Sequence, residues 1–173
     1  GAFYAYENGV YRIRTDLWAA NKVREYMLVG SATQNAITDC AWQWRIQIDK
    51  ALDEINANPF VINLKNGLYN VLDGSMKPHT SDFYSTVQIQ AAYDPDAKCP
   101  AFLQYLGGVL DEPEIRLMQE ILGYFLVPLN KAQKSFVMVG APNAGKSTFL
   151  SVVQDILLGR ENVSNIPWQG LGD

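Results

Sequence analysis

The stretch Ser135–Leu158, SFVMVGAPNAGKSTFLSVVQDILL, is the most informative part of this chain. Gly140, Gly145, Lys146 and Ser147 satisfy the spacing G-x-x-x-x-G-K-[ST] of a phosphate-binding loop, the Walker A motif. An apolar run precedes the first glycine, and apolar residues at helical spacing follow the motif. The pattern therefore predicts the order strand, loop and helix, which the motif requires where it binds a nucleotide.

The chemistry expected of this loop follows from its backbone. Glycines let successive N–H groups converge on phosphate oxygens at the start of a helix, where unpaired donors and the helix dipole favour an anion. Lys146 would contact the β- and γ-phosphates as the catalytic residue, and the Ser147 hydroxyl would coordinate Mg²⁺, so ATP and Mg²⁺ are the expected cofactors. The predicted nucleotide-binding residues are Gly140, Ala141, Pro142, Asn143, Ala144, Gly145, Lys146, Ser147 and Thr148. The alternative interpretation is a plain glycine-rich turn before a helix.

The surroundings of the motif set a limit on activity. Phe136 to Val139 are predicted to form a buried strand. A phosphate-loop NTPase also needs an acidic residue on a neighbouring strand for Mg²⁺, a residue that places water, and usually an arginine finger. None is recognisable after Ser147, so we expect a fragment of a longer protein that is inactive as an ATPase by itself.

Composition excludes several classes of protein. With 48% hydrophobic and 18% charged residues over 173 positions, the chain is typical of a folded protein. It has no long apolar run and no basic-then-apolar leader, which favours a soluble, cytoplasmic protein without a membrane partner. Cys40, Cys99 and His79 are too few for a zinc site or a disulfide scaffold. A net charge of −4 means that any DNA contact must be local.

The N-terminal segment predicts a β-hairpin. Asn8-Gly9 lies between two strand-like runs and supplies the positive φ angles of a two-residue turn. This register pairs Tyr6 with Tyr11 and Tyr4 with Ile13 on one face, which we expect to be the buried face. The other face carries Phe3, Ala5, Glu7, Val10, Arg12 and Arg14.

A basic patch on this hairpin is the candidate DNA contact. Arg12 and Arg14 share one face of the hairpin, and Lys22 and Arg24 lie on the following predicted helix. The alternative is that all four are ordinary solvated charges, which Glu7 on the same face favours.

The spacing of apolar residues and the helix-capping residues predict further elements. Asn66-Gly67 predicts a second hairpin in which Leu64 faces Tyr69 and Ile62 faces Val71. Gly123, inside the last predicted helix before the loop, suggests close packing against a neighbour. The other expected elements are helices from Thr15 or Asp16 to Leu28, from Ala36 to Asn56, from Phe102 to Val109, and from a capping box at Asp111 and Glu114 to a point before Pro128, and a half-buried strand from Phe83 to Tyr93. Trp18, Trp42 and Trp44 are expected in the core, as is Cys99.

The expected fold class is an α+β accessory domain, built of β-hairpins plus helices, that leads into the first strand-loop-helix unit of an α/β phosphate-loop NTPase. Residues 1–110 would form the accessory domain, residues 111–130 a connecting or collar helix, and residues 131–173 the truncated start of the NTPase.

Residues 61–173 resemble a known family in a run of short blocks. In chain order these are INLKNGLYNV, KPHTSDFYSTVQI, YDPDAKCPAFLQYL, LMQEILGYFLVP, VMVGAPNAGKSTFL and LGRENVSNIPWQGLGD. The order resembles the phage and plasmid primase-helicases, including their poxvirus relative, whose motor is a superfamily 3 helicase. The resemblance implies a region between a primase and an ATPase ring, and it carries over only Gly140, Gly145, Lys146 and Ser147 as functional residues.

The leading hypothesis is therefore part of an NTP-dependent replicative DNA helicase. Its implied partners are single-stranded or forked DNA, further copies of itself in a ring, and a primase domain or subunit. The alternative is a non-motor module that binds DNA or docks a protein and whose loop is inactive here. A small phosphate-loop kinase fits less well, because such kinases carry the loop near the N-terminus.

Overall fold

The computed structural model describes residues 2–28, 30–47, 52–127, 129 and 133–167. Over these residues the chain is α+β, with two small antiparallel sheets and five α-helices. It divides into two compact units, one of Gly1–Ala57 with Thr80–Val87, the other of Asn58–His79 with Gln88–Asp173. No helix among the described residues is long and apolar enough to span a bilayer.

The first unit begins with the predicted hairpin. Strand β1 spans Phe3–Glu7 and β2 spans Val10–Arg14, and Tyr6 faces Tyr11 as the turn residues require. Asn8 and Gly9 have φ of 51° and 87°, the positive values that a tight turn of this kind needs. The register prediction is confirmed.

The expectation for the buried face of this hairpin is wrong. Phe3 and Val10 are buried, whereas Ile13, on the tyrosine face, is 66% exposed. Helices α1 (Asp16–Tyr26) and α2 (Gln34–Gln47) follow, and the Phe3 ring lies 5.8 Å from the ring of Trp44 on α2. The face that carries Phe3 is therefore the one that packs on α2, whereas Tyr11 on the other face contacts Tyr84 at 5.6 Å between ring centroids.

The two helices of this unit are close to their predicted positions. Thr15 caps α1, its hydroxyl oxygen accepting from the backbone N–H of Trp18 at 3.2 Å. The predicted helix of residues 36–56 is observed as α2 and, after residues 48–51, which lie outside the described part, as a 3₁₀ turn over Leu52–Glu54. Trp44 and Trp18 are half-buried and stack on each other, but Trp42 is 58% exposed and the core prediction for it is wrong.

The second unit opens with a sheet in the order β3 (Val61–Leu64), β4 (Gly67–Asn70), β5 (Met76–Lys77). Ile62 faces Tyr69 and Leu64 faces Gly67, so the predicted pairing is wrong by two residues. Gly67 lies in the strand rather than the turn. A Cβ at this position would meet the carbonyl oxygen of Lys77 at 2.5 Å, so the glycine permits the close approach of β5.

The predicted strand from Phe83 to Tyr93 does not form. The segment is divided between the two units, and its only β-pairing among the described residues is an isolated parallel bridge between Leu64 and Ile89. In the first unit the carbonyl of Ser85 instead accepts from the N–H of Tyr11 at 2.7 Å. The alternating sequence pattern of residues 83–93 is therefore present, but no described strand pairs with this segment along its whole length.

Helices α3 (Pro100–Gly107) and α4 (Glu112–Leu126) agree with the sequence. Asp111 and Glu114 form the reciprocal capping box, with bonds of 3.1 and 3.0 Å. Two expectations are wrong: apart from the helix's own backbone, no atom of the described residues lies within 4 Å of a Cβ built at Gly123, and Cys99 is exposed. Cys99 precedes the first turn of α3, where the backbone geometry leaves it outside the core.

The apolar core of the second unit has two parts. One consists of Ile62, Leu64 and Ile89, and the other of Leu106, Phe149 and Val153. Leu158 packs against both. Leu158, which follows the phosphate-loop motif, therefore connects the apolar cluster of the small sheet with the cluster of α3 and α5.

Candidate functional site

The motif forms a loop that runs into helix α5 (Lys146–Ser151), which continues in π-helical form over Val152–Leu158. Asn143 and Gly145 have φ of 63° and 84°, and these left-handed residues curve the backbone just before the helix. Phe149, on the inner side of α5, is buried in the core. The loop-to-helix transition predicted from the sequence is confirmed.

The predicted buried strand before the loop is not observed. Phe136 to Val139 have no strand hydrogen bonds, and Val137 and Val139 are 79% and 91% exposed. An extended segment becomes a strand only when a neighbour pairs with its backbone groups. The part of the chain that the structure describes provides no such neighbour for this run.

Lys146 lies over the curved backbone. Its Nζ donates to the carbonyl oxygens of Gly140 and Ala141, both at 2.8 Å. The ammonium group is thus held at the centre of the loop, where an anion bound by the backbone amides would meet it. Ser147 and Thr148 are exposed at the start of α5.

The residues present fit a phosphate group. A helix start leaves backbone N–H groups without intrahelical partners, and Gly140 puts no side chain in the way of a ligand approaching the loop. Ser147 is exposed one residue after Lys146, so its hydroxyl is available as an oxygen ligand for a hard cation.

A residue that sequence reasoning missed also contacts the loop. The hydroxyl of Tyr105, on α3, donates to the carbonyl oxygen of Gly145 at 2.7 Å. The Tyr105 ring lies 6.0 Å from Phe102, whose ring stacks on Phe149 at 6.5 Å. No motif marks Tyr105 in the sequence, since its only signal is membership of an apolar helix forty residues before the glycine.

The far end of the motif helix is anchored by polar contacts. The Asn162 side chain donates to the carbonyls of Gln88 and Leu158 at 2.8 and 2.7 Å. Arg160 binds Asp155 through Nε at 2.6 Å. The hydrogen bond from Arg160 lowers the pKa of Asp155, and the same bond raises the pKa of Arg160.

The four cations of the predicted DNA patch have different surroundings. Arg14 is ion-paired to Glu7 and lies 5.9 Å from the Trp18 ring centroid. Lys22 binds Glu25 at 2.8 Å, and that hydrogen bond raises the pKa of Lys22.

Arg12 and Arg24 differ from this pair. Neither has a carboxylate within ion-pair distance among the described residues. Arg24 is exposed on α1 and Arg12 is half-buried on β2. Of the four cations in the predicted patch, Arg12 and Arg24 are therefore the most available to a phosphate backbone.

Part of the chain matches a known family. Residues 28–111 match the family model described as D5 N terminal like. The matched stretch includes α2, the three-stranded sheet and α3, and ends at Asp111, the residue that caps α4. The matched stretch is similar to the N-terminal region of D5-like primase-helicases. The phosphate loop lies after the matched residues, and no curated protein matches the chain.

Proposed function

We propose that this chain is the accessory region and nucleotide-binding loop of an NTP-dependent replicative DNA helicase of the superfamily 3 type, from a phage, plasmid or prophage. The observation that carries the proposal is the order of features along the chain. Residues 28–111, which match the D5 N-terminal model, are followed by the G-x-x-x-x-G-K-[ST] loop. The helix that begins at the end of this loop, α5, packs on α3. That order is the one a primase-helicase would need.

Each loop residue has a distinct part in this proposal. The backbone amides from Ala141 to Thr148 would bind the phosphates, and Lys146, held over the loop by the carbonyls of Gly140 and Ala141, would neutralise the β- and γ-phosphate charge. Ser147 would hold Mg²⁺, which would supply further positive charge to the phosphates. The acid and the arginine that complete hydrolysis are not recognisable in this sequence, so binding without turnover is the expected behaviour.

In the longer protein, ATP hydrolysis between copies in a ring would move single-stranded DNA, with a primase domain or subunit as a further partner. The proposed cofactors are ATP and Mg²⁺.

Titration of the 173-residue chain with a fluorescent ADP analogue, N-methylanthraniloyl-ADP, in the presence of Mg²⁺ tests the nucleotide site. Lys146→Ala should weaken binding about ten- to one-hundredfold, the value of a charge-assisted hydrogen bond. Lys98→Ala, the same change at an exposed lysine outside the loop, should leave it unchanged. Equal affinity of Lys146→Ala and the original chain would refute the nucleotide site and favour the docking-module alternative.

A further inference from the structure

We propose that Tyr105 is a positioning residue of the phosphate loop: its hydroxyl, on α3, holds the Gly145 carbonyl and so orients the backbone amide of Lys146 toward bound phosphate. This inference rests on the proposed nucleotide function. It links a residue inside the stretch matched by the family model to a loop outside that stretch.

The first step of the argument is the geometry of one peptide group. The Gly145 carbonyl accepts from the Tyr105 hydroxyl at 2.7 Å and from the N–H of Phe149 at 3.0 Å. A peptide group is planar and trans, so its C=O and the following N–H point in opposite directions. Fixing the oxygen of Gly145 toward α3 therefore fixes the N–H of Lys146 toward the loop.

The second step is that the Tyr105 hydroxyl has little freedom to leave. A Cβ at Gly145 would lie 2.7 Å from the Tyr105 hydroxyl oxygen and 3.1 Å from Cε2, so the ring stands directly against this glycine. Phe102 lies beside the ring and stacks on Phe149 of α5. The fully buried Leu106 on the same helix holds α3 in the core.

The third step is the functional consequence. Amides at the start of the helix are the expected phosphate ligands, and their usefulness depends on being oriented before the ligand arrives. Because Tyr105 belongs to α3, nucleotide affinity depends on the position of this helix. By reciprocity, nucleotide binding stabilises the position of α3 against the loop.

The test is Tyr105→Phe, which keeps the ring and removes only the hydroxyl. Three results are expected: a change in the Lys146 amide chemical shift, faster hydrogen exchange of the amides of residues 146–149, and about three- to tenfold weaker binding of N-methylanthraniloyl-ADP. Tyr26→Phe makes the same chemical change at a side chain that is 88% exposed and should alter none of these.

The readouts separate positioning from a general structural role. A loss of thermal stability with unchanged exchange and amide shift at residues 146–149 would overturn the proposal, and so would equal ADP affinity of Tyr105→Phe and the original chain. If the original chain binds no ADP, the proposed nucleotide function fails, while the exchange and shift of ligand-free protein still decide whether Tyr105 orients the loop.

Discussion

Gly145 meets two requirements that come from different parts of the chain. Its φ of 84° is a local demand of the loop, because a residue with a Cβ is strained in the left-handed region. The contact with Tyr105 is a tertiary demand, because the hydroxyl occupies the position that a Cβ would take. Sequence pattern indicates the first requirement and gives no sign of the second.

Gly145→Ala should therefore destabilise the second unit more than Gly74→Ala. Gly74 has φ of 70° but its nearest atom to an added Cβ is 3.9 Å away, so alanine there has only the left-handed cost of about 1–2 kcal/mol. Alanine at 145 should add about 0.5–1.5 kcal/mol for loss of the Tyr105 hydrogen bond. Urea unfolding of both variants measures the difference, and equal losses would contradict the contact.

Single aromatic and cysteine positions were the least predictable from pattern. Trp42 and Cys99 share their local signals with buried residues, yet both are exposed. Burial of one side chain depends on whether a neighbouring element covers it, and helical period only names the face on which it lies.

Helices and their ends followed local rules more closely. The capping box of α4 satisfies backbone donors within four residues of each other, and the Thr15 cap of α1 does the same. The prediction for Gly123, inside α4, is the exception. Close packing is expected there, but no described residue packs against this glycine.

Gly123→Ala should stabilise the chain by about 0.5–1 kcal/mol, since alanine restricts the unfolded backbone and favours the helix. The space around Gly123 is open and its φ is not in the left-handed region, so no clash opposes the change. Thermal unfolding checks the sign. A lower midpoint for the variant would show that the glycine packs closely against a neighbour after all.

The end of the motif helix should respond to acid. Arg160 lowers the pKa of Asp155, so the ion pair stabilises the fold above the ordinary carboxyl pKa and is lost as pH falls through the lowered value. Replacing Arg160 with Gln should return the Asp155 pKa upward toward its ordinary value. A carbon-13 NMR titration of the carboxyl group measures this, with Asp73, whose pKa is lowered by Ser75, as an internal control that should not move. An unchanged Asp155 pKa would contradict the ion pair.

Across the chain, the two units carry different kinds of candidate site. The second unit contains the loop and Tyr105, and the first contains the cations proposed to bind DNA. In the first unit Arg14 belongs to an ion pair and an aromatic contact, so its removal would alter packing as well as charge. Arg12 and Arg24 are the better choices for a binding test.

The double variant Arg12→Ala, Arg24→Ala should lower the salt slope of single-stranded DNA binding by about one to two, because each phosphate contact releases counterions. Fluorescence anisotropy with a short oligonucleotide at several salt concentrations measures the slope. Arg116→Ala, at a 73% exposed side chain of the other unit, removes one arginine charge outside the patch and should leave the slope unchanged. An unaltered slope in the double variant would exclude Arg12 and Arg24 as DNA contacts.

Features set by residues a few positions apart were open to prediction from the sequence alone. These include the Asn8-Gly9 turn with its register, the caps of α1 and α4, and the left-handed approach to the helix at Gly145. Each depends on the conformational preference of one or two residues or on a hydrogen bond within one helical turn. Such preferences act wherever the residues occur, so no knowledge of the rest of the chain is needed.

Other features were decided only by contacts between distant residues. The buried face of the first hairpin depends on Trp44, the position of Gly67 depends on Lys77, and the carbonyl of Gly145 depends on Tyr105. Alternation or helical period names two faces but carries no information about which face has a partner. That choice is made when segments ten or more residues apart pack together, because burial and hydrogen bonding stabilise the face that packs against a neighbour.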